Sequence, residues 1–322
     1  MLQLRIICPA ERTGEVTEVL ERSVGTAHLA VVAGAARQPP GDLLLCEVAR
    51  EAADELIDEL RALGLARDGS IVLQDAVLSL SERSARAERE APGEPADAVL
   101  WESLSELTHE ESTVSVTYLA FMTTAVMIAA CGVMLDNAIL IVGAMAVGPE
   151  FGPLSGVSTA LAQWRPRQAA RSLSALVTGF AVAIALTTVG TLALDAAGLF
   201  SAGMLGGRRG TTEFVWQPGR LSLVVALLAG IAGALSLTSA KSGALIGVAI
   251  SVTTVPAAAN AAVALAYGDG PELRGSSLQL VVNLSGILVA GTLTMIAQRL
   301  LLERTKRRER ALAARDTARS GP

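Results

Sequence analysis

Over the first 80 residues the apolar positions fall into short runs of strand type: "LQLRIIC" (2 to 8), "AHLAVVAG" (27 to 34), "DLLLCEVA" (42 to 49) and "GSIVLQDAVLSL" (69 to 80). Between the first two runs, Val16, Val19 and Leu20 recur at helical spacing. Between the last two, Ala53, Leu56, Ile57, Leu60 and Leu63 line one face of a helix that should stop at Gly64. The resulting order, strand, helix, strand, strand, helix, strand, predicts a ferredoxin-like split unit over residues 1–81. The segment "GAARQPPGD" (34 to 42) is expected to form a loop, a candidate binding lip. The alternative role for the whole unit is docking or oligomerisation, because this fold hosts many functions.

The pattern then changes twice. Residues 82 to 97 read as a charged linker with two prolines, and "AVLWESLSELTHEES" sets Leu100, Trp101, Leu104 and Leu107 on one side of a helix, so 82–113 is expected as linker plus interfacial helix, the alternative being that this helix simply continues into the first span. From 114 to 302 the apolar runs lengthen to about 20 residues, enough to cross the hydrocarbon core. Six spans are expected, at 114–135, 138–162, 172–194, 220–240, 242–267 and 277–300, followed by a basic tail over 303–322. The fold class is thus α+β, a small soluble sheet domain followed by an all-α transmembrane domain.

Composition agrees with that division. The 322 residues are 51% hydrophobic and 18% charged, and the net charge of −5 comes from the soluble part, so no nucleic-acid partner is indicated. Arg165, Arg167 and Arg171, then Lys241, then Arg299, Arg304, Lys306, Arg307, Arg308 and Arg310 all flank the same ends of the six spans. By the positive-inside rule both termini are expected in the cytoplasm, against the dissent of Arg208 and Arg209. The N-terminal run is too short, and Pro9 too close, for a cleaved signal peptide. Cys8, Cys46 and Cys131 lack metal-ligand spacing and are expected reduced. His28 and His109 have no ligand-spaced partner either, so neither a metal nor a cofactor is expected.

Two spans carry residues that a simple membrane helix would not. Span two contains Gly148, Pro149, Glu150, Gly152 and Pro153; span five contains Pro256 behind the β-branched run "SVTTV". Proline removes a backbone donor, and a carboxylate at mid-depth costs roughly 3 kcal/mol even on the lenient insertion scale. Laying "IVGAMAVGPEFGPLSGVSTALA" (141 to 162) over "LIGVAISVTTVPAAANAAVALA" (245 to 266) keeps Gly143 over Gly247 and "TALA" over "VALA". With both termini on one side, this suggests a 3+3 inverted repeat, in which broken spans meet at a midplane site.

"ILIVGAMAVGPEFGPLSG" and "GALIGVAISVTTVPAAANAA" resemble the membrane proteins grouped as domain of unknown function 389. "RIICPAER" and "PPGDLLLCEVAREAADELIDELRALG" look like its actinobacterial members. Span five departs from the pattern in having Pro256 followed by alanine, where relatives often carry a Pro-Pro pair. The resemblance implies the architecture and no activity.

Glu150 is the leading site residue, as a proton carrier or cation ligand; the alternative is that it caps free backbone donors. Around it the expected pathway comprises Gly148, Pro149, Gly152, Pro153, Ser155, Ser251, Thr253, Thr254, Pro256, Asn260 and Asn283, with Ser158 and Ser285 nearby. Each hydroxyl or amide serves equally as interhelical glue. Ala226, Gly230 and Ala234, at four-residue spacing, are expected to pack helices. Transport of a small solute or ion follows, with the bilayer and further copies of the chain as partners. A membrane-anchored sensor or scaffold is the second class. Catalysis is not expected, since no HExxH, GxSxG or P-loop is present.

Overall fold

Strand β1 (Leu2–Cys8) alternates strictly: Leu2, Leu4, Ile6 and Cys8 are buried, and Gln3 and Arg5 are exposed. That period of two puts one face on a core and leaves the other open. The computed structural model of the chain describes residues 1–319 except 77, 92–98, 206–214, 217–218 and 239–253; beyond Leu302 only Arg304 is described as a side chain. The described residues form two compact units, one built mainly from Met1–Ser103 and one beginning at Leu104.

In the first unit β1 is joined by β2 (Thr26–Arg37), β3 (Pro40–Val48) and β4 (Ser70–Asp75) in an antiparallel sheet of order β2-β3-β1-β4. Helices α1 (Thr13–Arg22) and α2 (Arg50–Ala62) bury Val16, Val19 and Leu20, and Ala53, Leu56 and Leu60, in one core with Leu4, Ile6, Leu44 and Val48. Gly64 follows α2 with φ +80°, the left-handed conformation that commonly terminates a helix.

Two expectations change here. Residues 34–42 are not an open lip. They form the tip of the β2–β3 hairpin, with Arg37 paired to Pro40 and Ala36 to Gly41. Asp42 ties that tip to α1, accepting from the Thr13 hydroxyl at 2.6 Å and from the Gly34 N–H at 2.8 Å. These donors hold its carboxyl below the usual carboxylate range. Nor are residues 82–90 linker: α3 (Glu82–Glu90) is capped by the Ser81 hydroxyl, and Ser84 donates to Glu47 at 2.6 Å. A buried serine anchoring an otherwise charged helix is invisible to a charge count.

The second unit begins within the first turn of α4 (Trp101–Glu111). Of the expected apolar side of α4, Leu104 is buried but Leu107 is exposed, and Ser105 and Thr108 are buried beside Leu104. Then come α5 (Val116–Met134), α6 (Ala138–Val147), α7 (Phe151–Ala162), α8 (Pro166–Ala196), α9 (Arg220–Thr238), α10 (Val255–Tyr267) and α11 (Gly270–Arg319). Among the described residues four helices are long and apolar enough to cross a membrane, five if the bent pair α6–α7 is one span. Of expected span five, α10 is described and 242–253 lie outside the described residues.

These helices are apolar outward and enclose buried polar side chains within an apolar core. Val189, Leu221, Leu228 and Val281 are exposed, while Thr187, Thr191, Asn260 and Asn283 are buried. That distribution suits a lipid solvent. Helices α9 and α11 touch through small residues: a Cβ at Gly230 would collide with the backbone carbonyl of Ile287, and one at Gly286 would lie 3.0 Å from the Ala226 Cβ. Opposite ends of the unit are clamped separately. The Arg299 guanidinium donates to the last carbonyl of α7, Ala162, at 3.0 Å, and Tyr267 donates to Asp195 at 3.1 Å.

Two outcomes follow. Gly230→Val should lower the thermal midpoint in detergent, a cost of about 1–3 kcal/mol, because backbone cannot yield as a side chain can; Gly143→Ala, with nothing within 4 Å of its new Cβ, should not. Asp42 has a depressed folded pKa, so its stabilisation is present above the unfolded value of about 4 and lost as pH falls through the folded one. The Cys46 thiol, pushed up to about 12 by burial, reports this: its acid-induced exposure to dithiodipyridine should be less pH-dependent in Asp42→Asn than in wild type.

Candidate functional site

Span two breaks because its residues leave no alternative. Helix α6 stops at Gly148, whose N–H still reaches the Ala144 carbonyl at 3.2 Å, and Pro149 can neither donate nor let its predecessor stay helical. Helix α7 restarts at Phe151 after a 56° bend. Pro153 then lies in the first turn of α7 and Pro256 in the first turn of α10, where a missing donor is harmless. The prolines that look costly in an unbroken span therefore stand where they cost least.

Glu150 occupies the N-cap position of α7, yet its side chain makes no capping hydrogen bond. Instead its fully buried carboxylate accepts from the Thr254 hydroxyl at 3.3 Å, and Thr254 is itself the N-cap residue of α10. Two helix N-termini thus converge on one carboxylate. Each presents free N–H groups and the positive end of its dipole, a setting that favours negative charge. The carboxylate folds back over Gly148, where a Cβ would displace it.

The other expected pathway residues divide. Asn260, buried on α10, donates to the Ser276 hydroxyl at 2.8 Å and to the Glu272 carboxylate at 3.2 Å, and Asn283 is buried on α11 two turns beyond Ser276. Ser155 spends its hydroxyl on the Gly152 carbonyl at 2.7 Å, within α7. With Ser158, Ser155 lines a small cleft, largely apolar, between α7, α9 and α11. Ser285 is exposed. Ser251 and Thr253 lie outside the described residues. Gly152 admits α4: a Cβ there would sit 2.6 Å from the Glu111 Cβ. The Ser105 hydroxyl of α4 meets Arg165 at 3.0 Å and Gln168 at 3.2 Å, so α4 runs antiparallel beside α7.

Sequence reasoning missed Glu272, Ser276 and Gln279. All are buried, and with Asn283 they occupy one face of α11. Their spacing of four, three and four was the available signal; an acid near a span end reads more readily as a loop charge.

Several long apolar helices, an apolar exterior and a bent span define a multi-pass membrane protein. Residues 145–289, which include Glu150, Thr254, Asn260, Glu272 and Asn283, match the model of the family described as Domain of unknown function (DUF389). No curated protein and no solved structure matches it.

The contacts at the two glycines predict opposite outcomes. In Gly148→Ala only the flexible end of Glu150 must move, so the change in stability should stay within about 1 kcal/mol; in Gly152→Val the Glu111 backbone stands in the way, and about 1–3 kcal/mol should be lost. Thermal unfolding of the full chain in detergent checks both.

Proposed function

We propose that this protein moves a small solute or ion across the cell membrane, binding it where the broken second span meets the fifth. The observation that carries the reading is the buried Glu150–Thr254 pair at two converging helix N-termini. Interrupted spans whose ends face a shared midplane site are the arrangement of many secondary transporters. A pure anchor has no need of one.

A constant offset supports the reading further. The pairing of 141–162 with 245–266 places Glu150 over Thr254, a separation of 104. The same offset relates the starts of α5 and α9 (116 and 220), of α7 and α10 (151 and 255) and of α8 and α11 (166 and 270). Both α5 and α9 are 19 residues long. Two inverted halves of three spans each account for this, since residues on a pseudo-two-fold axis meet their own equivalents. The positions 104 beyond α6, 242–251, lie outside the described residues.

In this reading both termini face the cytoplasm, several copies associate, and chemistry is limited to binding and conformational change. The N-terminal unit, whose strand order β2-β3-β1-β4 is that of a ferredoxin-like domain, regulates or docks.

The test is flux in proteoliposomes under imposed proton or sodium gradients. Wild type should dissipate a gradient, and Glu150→Gln should do so about tenfold more slowly or worse, a loss of ~1.4 kcal/mol or more in the transition state. If wild type matches empty liposomes under both gradients, coupling to these ions is wrong. If wild type and variant conduct equally, the site is wrong.

A further inference from the structure

The buried face of α11 changes character halfway. From its first turn it presents Glu272, Ser276, Gln279 and Asn283, all buried; beyond them the same face presents Ile287, Ala290 and Met295. At about 1.5 Å per residue the polar seam is ~17 Å long, roughly half of a 30 Å hydrocarbon core. Helix α8 shares the division in part. Its buried residues from Ala175 to Ala183 are all apolar and Thr187 and Thr191 follow toward the Asp195 end, with Ser172 buried before them. That end is clamped to Tyr267, one residue before the turn that leads into α11. The Thr188 hydroxyl donates to the Ala262 carbonyl at 3.1 Å, which sets this stretch of α8 against α10. The amide and carboxylate side chains buried on α10 and α11 therefore gather toward one end of the unit, while the other buries the hydroxyls of Ser158, Thr159 and Ser172 among apolar residues.

The polar half leads to Glu150. Helices α10 and α11 run antiparallel, as the two-residue turn Gly268–Asp269 together with the bonds from Asn260 to Glu272 and Ser276 requires. Moving from Asn260 back to Thr254 covers six residues, ~9 Å. The same distance along α11 from Ser276 ends near Asn283. The seam and the carboxylate at the break thus reach the same depth.

Gln279 is 2% exposed, and its carbonyl oxygen finds no hydrogen-bond donor among the described residues. A buried acceptor without a donor is costly and is ordinarily met by water or a cation. Thr187 Oγ is likewise without a partner there. The mouth carries Asp195, Asp269 and Glu272, with Asp269 accepting from the Glu272 N–H at 3.1 Å.

We propose that Glu272, Ser276, Gln279 and Asn283, with Asn260, line an aqueous half-path for small cations from the Gly268–Glu272 turn to Glu150, sealed beyond Asn283 by the apolar seam. Its purpose rests on the transport reading, but its existence does not. Glu272 concentrates cations at the mouth, the oxygens of Ser276, Gln279 and Asn283 replace part of their hydration, and Glu150 ends the path.

Silver ion, a small thiol-reactive cation, tests this in the full chain with Cys8, Cys46 and Cys131 replaced by alanine. Single cysteines are introduced as Gly270→Cys at the mouth, Ser276→Cys and Asn283→Cys in the seam, and Ile287→Cys and Ala183→Cys in the seal. Silver is added to one face of sealed vesicles, and thiols still free are then alkylated after denaturation and weighed. The expected result is reaction at 270, 276 and 283 from a single face and none at 287 or 183. Adding Glu272→Gln should slow reaction at 283 about tenfold or more, the scale on which a charged mouth concentrates counter-ions. Should 276 and 283 react no faster than 287 while 270 reacts, the half-path is overturned; the near-isosteric Ser276→Cys guards against misfolding as the cause. An unchanged rate with Glu272→Gln overturns the cation-gathering role. A reactive seam in a protein that shows no flux under proton or sodium gradients would leave the half-path standing and remove coupling to those ions from the transport reading.

Discussion

In hydrocarbon a backbone N–H or C=O without a partner costs several kcal/mol, and that constraint governs the membrane unit. A span interrupted at Gly148–Glu150 exposes the first N–H groups of α7; α10, beginning at Val255, exposes its own. Neither start receives a side-chain cap from its N-cap residue. Both are turned instead toward one shared place, where a buried carboxylate and a buried threonine hydroxyl meet. The break and the charge, each unfavourable alone, offset one another: the N-termini stabilise negative charge, and the carboxylate answers their dipoles.

Holding that arrangement requires close packing with little side-chain volume. Gly152 lets α4 approach α7, Gly179 accommodates the Tyr118 ring, and Gly230 meets the Ile287 carbonyl. Helix α10 is mostly alanine and is buried from Val255 to Ala264. Small residues buried all around mark a helix enclosed by its neighbours rather than by lipid. Polar groups such as Asn260 can then be kept inside at full burial with partners at hand.

Much of this was legible from pattern. Alternation in "LQLRIIC" and helical spacing in "EVTEVL" specify strand and helix because the two periods differ. The break in span two follows from the chemistry of Gly148 and Pro149 alone. Glu150 stood out because carboxylates are rare in apolar runs. Glu272 did not, since it lies beside a turn and only the fold of α11 against α10 buries it. The hairpin at 34–42 was misread because "RQPPGD" carries turn residues, whereas β-pairing is non-local and shows only once Ala36 finds Gly41.

The sequence by itself determined the division into a sheet unit and an apolar helical unit, the places where spans break, and the residues too polar for lipid. These are local properties, set by period, proline and transfer energy. Tertiary structure alone decided which break meets which. Glu150 and Thr254 are 104 residues apart, and no local rule brings them within 3.3 Å. It also decided that Glu150 turns away from its own helix, and that the polar positions of α11 form a buried seam rather than a wet edge. Burial and partnership depend on what the rest of the chain places alongside, so they emerge only when the helices pack.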